Sequence, residues 1–332
     1  MPIPDLMFLP PLQNGDIVGK GKFEIVSTTV NAGGFGRIYR ATDSSHKSSK
    51  KYAVKEFFVE TGRDDIDRST MGEYTHSAMS YKFHKLHEHF FMEAKLLWLA
   101  GFNLKGPRHI PEIFGLPYEE GGRYFYVMDY IEGPTITEEI RNWGPMLEER
   151  AVGLIMQICR VLTYAHINGL VHSDISPNNI ILRNGNIAVL VDFGNARSYD
   201  AELTRATMDD RTRRGFRPYQ DALDRIAEQM PDFSEEGQEA IDSIGTPFFQ
   251  APDKIKNRPV GDVYSLACTL FFMLTGLKPK PRMDLLGTLS EFNVSKSTIK
   301  AIDEALKINF PDDNLPAKYF KQVLKGSPVE DL

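Results

Sequence analysis

Residues 263–275, VYSLACTLFFMLT, constrain the fold more than any other stretch of the chain. They contain no charged side chain and are apolar on every side at helical period, so a helix here has no face to offer water. It is too short for a bilayer, which takes about 20 apolar residues. Such a helix has to be wrapped by other elements. A chain of 332 residues has the length to do so, as one large domain or as two lobes. Residues 146–169 supply a second long helix, amphipathic and stopped at Gly169.

Composition excludes several classes. At 42% hydrophobic and 25% charged the chain reads as globular, and a net charge of −6 gives no general affinity for nucleic acid or anionic membrane. The two cysteines, Cys159 and Cys268, lie inside apolar helical patterns and read as buried, reduced thiols. No basic segment precedes the apolar run of MPIPDLMFLPPL, so no signal peptide is expected. These points predict a cytoplasmic protein with no membrane insertion and no nucleic-acid partner. Oligomeric state is not legible.

The first half is β-rich. After an arm over 1–21, three short strands are expected within 22–60, then a helix over 81–100 with Phe90, Phe91, Ala94, Leu97 and Trp98 on one face. Two more strands are expected at 111–116 and 123–130, separated by the turn EEGG. Beyond about 131–134 the pattern is helical, apart from two short strands at 180–183 and 187–191. Weak helical stretches fall near 219–230 and 234–243.

Polar residues in this frame each allow a bland reading and a chemical one. NAGGFG at 31–36 is a hairpin turn, or a phosphate flap in which glycines let backbone N–H groups approach oxygens. Lys55, on the third strand, shares a face with Ala53; it is an edge lysine or the partner of an anion. Glu93, beside the apolar face of the 81–100 helix, is solvated unless a buried Lys55 needs its charge. HSDISPNN at 172–179 and DFGNA at 192–196 are polar turns, or a set in which Asp174 takes a hydroxyl proton while Asn179 and Asp192 offer magnesium oxygen ligands. Their order and spacing together favour the chemical reading, a catalytic loop.

With YVMDYIEG, GTPFFQAPD and DVYSLACTLFFMLTG in the same order, these motifs resemble the landmarks of the eukaryotic-type Ser/Thr protein kinases, most closely the bacterial members. The resemblance runs from about 22 to 325. It implies a bilobal α+β fold: a small β-rich N-lobe with one helix (22–131), a larger helical C-lobe (132–325) with an activation segment at about 192–253 carrying a helical insertion, and a tail at 326–332. It further implies ATP and Mg2+ as cofactors and a protein substrate with a Ser/Thr acceptor. By the same resemblance Asn31, Gly33, Gly34 and Gly36 would cover the phosphates, Lys55 paired with Glu93 would hold the α- and β-phosphates, and Ile38, Ala53 and Ile181 would sandwich the adenine. Met128 would be the gatekeeper, with Asp129 and Ile131 meeting the adenine edge. Asp174 would be the base, Asn179 and Asp192 the metal ligands, Phe193 a packing element under the mobile helix, and Asp262 the support of the catalytic loop.

The chain also departs from that pattern. Asn31 replaces the first flap glycine. Ser173 replaces the arginine that pairs with a phosphorylated loop, so activity independent of phosphorylation at Thr204, Thr207 or Thr212 is expected. Ser176 replaces the lysine that meets the γ-phosphate, and Asn178 offers no arginine, so slow turnover is expected. APD with Asn314 lacks the usual buried ion pair. His84, His87 and His89 do not share a helical face and read as solvated rather than as a metal site. Arg205, Arg211, Arg213, Arg214 and Arg217 form either an anion-binding surface or a loop patch offset by nearby acids. A small-molecule phosphotransferase of the same superfamily and a nucleotide-binding pseudokinase are the competing functions.

Overall fold

A computed structural model describes residues 10–29, 36–45, 48–58, 90–91, 93–94, 97, 109–200, 248–310 and 316–326. Its described residues fall into two compact units, the first holding those up to 97 and 112–130, the second 109–111, 131–200 and those from 248 onward.

The first unit is built on a six-stranded antiparallel sheet of order β1-β2-β3-β4-β6-β5. The strands are β1 (Ile17–Val18), β2 (Phe23–Thr29), β3 (Arg37–Asp43), β4 (Lys51–Glu56), β5 (Tyr118–Glu120) and β6 (Arg123–Asp129). Alternation sorts their side chains. Val18, Phe23, Ile25, Tyr39, Ala41, Val54, Phe125 and Val127 close a core on one face, joined by Leu12. The opposite face carries Ile38 across from Lys55, Ala53 across from Met128, and Tyr126 across from Lys55. Onto it pack the helical residues 90, 91, 93, 94 and 97, through Phe90 against Tyr126 with ring centroids 5.0 Å apart.

Two expectations fail here. The sheet begins inside the stretch read as an arm, because Gly19, Lys20 and Gly21 all take positive φ and turn β1 back onto β2. The strand expected at 111–116 is absent. Gly115 sits at φ 85° and Pro117 has no N–H, so pairing reduces to one bridge, Ile113 with Met128, and the strand forms at Tyr118–Glu120 instead.

The second unit is mainly helical: α1 (Ile136–Trp143), α2 (Glu148–Ile167), α3 (Pro259–Thr275), α4 (Leu285–Glu291), α5 (Lys296–Leu306) and α6 (Pro316–Leu324). Thr135 and Glu138 form a capping box that starts α1. In α3 every residue but Tyr264 is buried, which is what an all-apolar helix demands. Two short antiparallel pairs complete the unit: β8 (Ile180–Arg183) with β9 (Ile187–Leu190), and β7 (Leu170–Val171) with β10 (Arg197–Ser198). Among the described residues no helix is long and apolar enough to cross a membrane.

Candidate active-site residues

Lys55 lies on β4, an internal strand between β3 and β6, so the edge-lysine reading does not hold. Buried there, its ammonium needs a counter-charge, and the Oε2 of Glu93 lies 2.6 Å from Nζ. Glu93 is 2% exposed, where a position beside an apolar face had given no firm sign of burial. Gly36 is explained by closeness: a Cβ there would lie 3.0 Å from the Glu56 carbonyl and 3.2 Å from Lys55 Cε. Asn31, Gly33 and Gly34 lie outside the described residues, as do Trp98 and the three histidines of 84–89.

One buried group in this unit escaped the sequence reading. Glu56, next to Lys55 but on the opposite face, accepts from Tyr39 Oη at 2.5 Å and from Arg123, with Arg37 at 3.7 Å. Arg123 also donates to the Pro10 carbonyl at 2.7 Å, and Tyr39 Oη accepts from the Leu12 amide at 3.2 Å. Burial, and then Glu56, push the Tyr39 hydroxyl from 10.0 up to about 12. The signal was there in principle: a Glu on the core face of a strand must find donors.

In the second unit the β8–β9 register brings the polar candidates together. Ile180 pairs with Leu190, and the amide of Val191 donates to the carbonyl of Asn179 at 2.9 Å, so Asp192 follows directly beside Asn179. The Asn179 amide nitrogen donates to the Asp174 carbonyl at 2.9 Å and to its carboxylate at 3.0 Å. That orientation leaves Asn179 Oδ1 as an acceptor. Asp192 is exposed, at φ 61°. Asn195, not anticipated, reaches the Asp174 carboxylate at 3.5 Å. Two oxygen donors of this kind, with Asp174 beside them, fit a magnesium ion that completes its shell with water and phosphate oxygens.

Beneath this set lies Asp262, in the first turn of α3 and 1% exposed. Its carboxylate accepts from the backbone amides of His172 at 2.9 Å and Ser173 at 2.8 Å, and from His166 Nε2 at 3.0 Å. Ser173 adopts φ 63°, a conformation those bonds hold against its preference. His166 was missed, although its place seven residues after Cys159 on the apolar stripe of α2 was a legible sign. Phe193 is buried with its ring 4.7 Å from that of His172.

The adenine candidates divide between the units. Ile38, Ala53, Met128 and Asp129 belong to the first, where the Asp129 amide donates to the Glu112 carbonyl at 2.8 Å. Ile131 and Ile181 belong to the second, where Ile181 bridges Thr135 and Gly133 runs against β8 so closely that a Cβ would meet the Leu182 carbonyl at 2.3 Å. Asp253 is exposed, and Asn314 and the five arginines of 205–217 lie outside the described residues.

The first unit is β-rich and holds a buried Lys–Glu pair, and the second is mainly helical and holds the Asp174–Asn179 contact. The chain belongs to the family described as protein kinase domain, whose sequence profile matches residues 25–214, more than half of it. Among curated proteins it is similar to serine/threonine-protein kinase PknH of Mycobacterium tuberculosis, 29% identical over 261 residues that cover 77% of this chain and 32% of that protein. It is also similar to serine/threonine-protein kinase C of Synechocystis sp., 26% identical over 92% of this chain and 50% of the relative. A third is serine/threonine-protein kinase PknA of Nostoc sp., 25% identical over 77% of this chain and 37% of that protein. The chain thus spans half or less of the length of these relatives.

Proposed function

We propose that this chain is a protein kinase that transfers the γ-phosphoryl group of ATP to Ser or Thr hydroxyls, itself included. The observation that carries the reading is the Asp174–Asn179–Asp192 arrangement: a carboxylate beside an amide whose oxygen is left to accept, next to a second, exposed carboxylate. In this reading Mg-ATP supplies the phosphoryl group and the metal charge that neutralises it. Asp174 orients the acceptor hydroxyl and takes its proton, and Asn179 holds Asp174 in place. Asn179 Oδ1 and the Asp192 carboxylate hold the magnesium ion. Lys55, fixed by Glu93, holds the α- and β-phosphates under a flap that includes Asn31, Gly33, Gly34 and Gly36. Ile38, Ala53 and Ile181 take the adenine faces, with Met128 as gatekeeper and the backbone of Asp129 and Ile131 along its edge. The catalytic lobes span 22–131 and 132–325. A reducing compartment such as the cytoplasm fits Cys159 and Cys268, free thiols that burial pushes to about 12.

The backbone amides of His172 and Ser173 donate to Asp262, and Ser173 stands where the phosphate-pairing arginine would be, which supports a loop whose order does not require phosphorylation. The test is intact mass and phosphosite mapping after incubation with Mg-ATP, beside Asp192→Ala. Phosphate on Ser or Thr in the unmodified protein only, with turnover unchanged in a phosphatase-treated sample, is the expected result. Asp192→Ala retaining more than about a tenth of the rate, a loss under 1.4 kcal/mol, would remove Asp192 from the metal site. ATP turnover without protein phosphorylation would transfer the reading to a small-molecule acceptor.

A further inference from the structure

The second unit has a recess away from Asp174, where α2, α6 and β9 meet, with a volume of about 290 Å³. Arg160 of α2, Lys321 of α6 and Lys325 just beyond it line the recess with His109, and no carboxylate does. The three cations are not paired to any carboxylate among the described residues, in a chain whose net charge is −6. Crowding of this kind is unfavourable unless an anion resolves it. Lys321 registers the crowding: burial first, then the charges of Arg160 and Lys325, lower its pKa. His109 is buried, its Nδ1 2.9 Å from the Ala188 carbonyl and its own carbonyl accepting from Leu190 at 2.8 Å, so its ring is fixed at the wall. Burial, with Arg160 and Arg183 adding to it, holds that ring below the ordinary histidine value. Met156 and Ile187 form an apolar side to the same recess.

We propose that this recess binds a phosphorylated Ser or Thr side chain of a peptide segment. Arg160 and the two lysines would meet the phosphate oxygens, a guanidinium fork and two ammonium groups against a dianion. The volume exceeds that of a bare phosphate, and the Met156–Ile187 side gives the methylene or methyl carbon and the next residue of the peptide something apolar to cover. The Gln157 amide is fixed at the wall, its nitrogen donating to Asn186 O at 3.0 Å and its oxygen accepting from Ala188 N at 2.9 Å. The phosphate part of the proposal stands on this geometry. The choice of phospho-Ser/Thr rests on the kinase reading, whose product would be such a peptide.

The experiment is calorimetric titration of the full chain with a short synthetic phosphothreonine peptide, its unphosphorylated twin, and inorganic phosphate. Arg160→Glu and Lys325→Glu are titrated alongside, both residues being exposed, with melting curves to show that they fold. Saturable binding of the phosphopeptide, none of the twin, and a loss of about tenfold or more in each variant is the expected result. Phosphopeptide binding undiminished in both folded variants overturns the site. Inorganic phosphate binding as tightly as the peptide overturns the peptide assignment, and no binding of either overturns the whole. Because synthetic peptide is supplied, failure of phosphoryl transfer leaves these outcomes unaffected. Should one variant misfold, the other decides.

Discussion

Lys55 and Glu93 are each too buried to stand alone, and that fixes how substitutions there behave. Lys55→Met takes the ammonium away from the buried Glu93 carboxylate, and we expect a loss of about 3–5 kcal/mol in unfolding free energy. The double substitution Lys55→Met with Glu93→Leu removes both charges and should recover most of that stability while leaving the protein without phosphoryl transfer. Denaturant titrations of the two single variants and the double variant measure the coupling. Additive losses would show that the 2.6 Å pair is not an energetic unit. This pair also shows what could be read in advance. Lys55 was legible because a lysine inside YAVKEF is unusual on its own strand. Glu93 was legible only through Lys55, and for Glu56 the need for donors was legible but not their identity, because Arg37 and Tyr39 come from β3 and Arg123 from β6.

At the scale of elements, two glycines in helices make opposite predictions. Gly261, in the first turn of α3, presses on the segment before it: a Cβ would sit 2.3 Å from the Ile255 carbonyl, so Gly261→Ala must push backbone against backbone. Gly153, in the middle of α2, has nothing within 4 Å of a Cβ. Gly153→Ala should therefore stabilise by up to about 1 kcal/mol, through propensity alone, and Gly261→Ala should destabilise. Thermal melting of both variants tests the contrast, and a stabilising Gly261→Ala would contradict the packing. Helix α3 was legible from composition because an element with no polar face has one possible environment. The strand at 118–120 was not, because its place depends on Gly115 taking φ 85° in a stretch whose apolar residues suited the neighbouring reading equally well.

At the scale of the whole molecule, the buried acids make stability fall on the alkaline side. Burial raises Cys159 and Cys268 from 9.0 to about 12, and burial with Glu56 raises Tyr39 from 10.0 to about 12. Tyr118 moves up as well. In each case the folded state keeps a proton that the unfolded chain gives up first. The contribution is therefore fully present below about pH 9 and lost progressively as pH rises towards 12. Urea unfolding at pH 8, 9.5 and 11 should show a midpoint that drops most over the last interval, and a flat profile would contradict the burial of these groups. The tie between α3 and the loop before Asp174 has a consequence in genetics. One carboxylate, Asp262, fastens two backbone amides and the His166 ring. A screen for inactive alleles should therefore return codons 166 and 262 alongside 174 and 192, with second-site suppressors rare at all four.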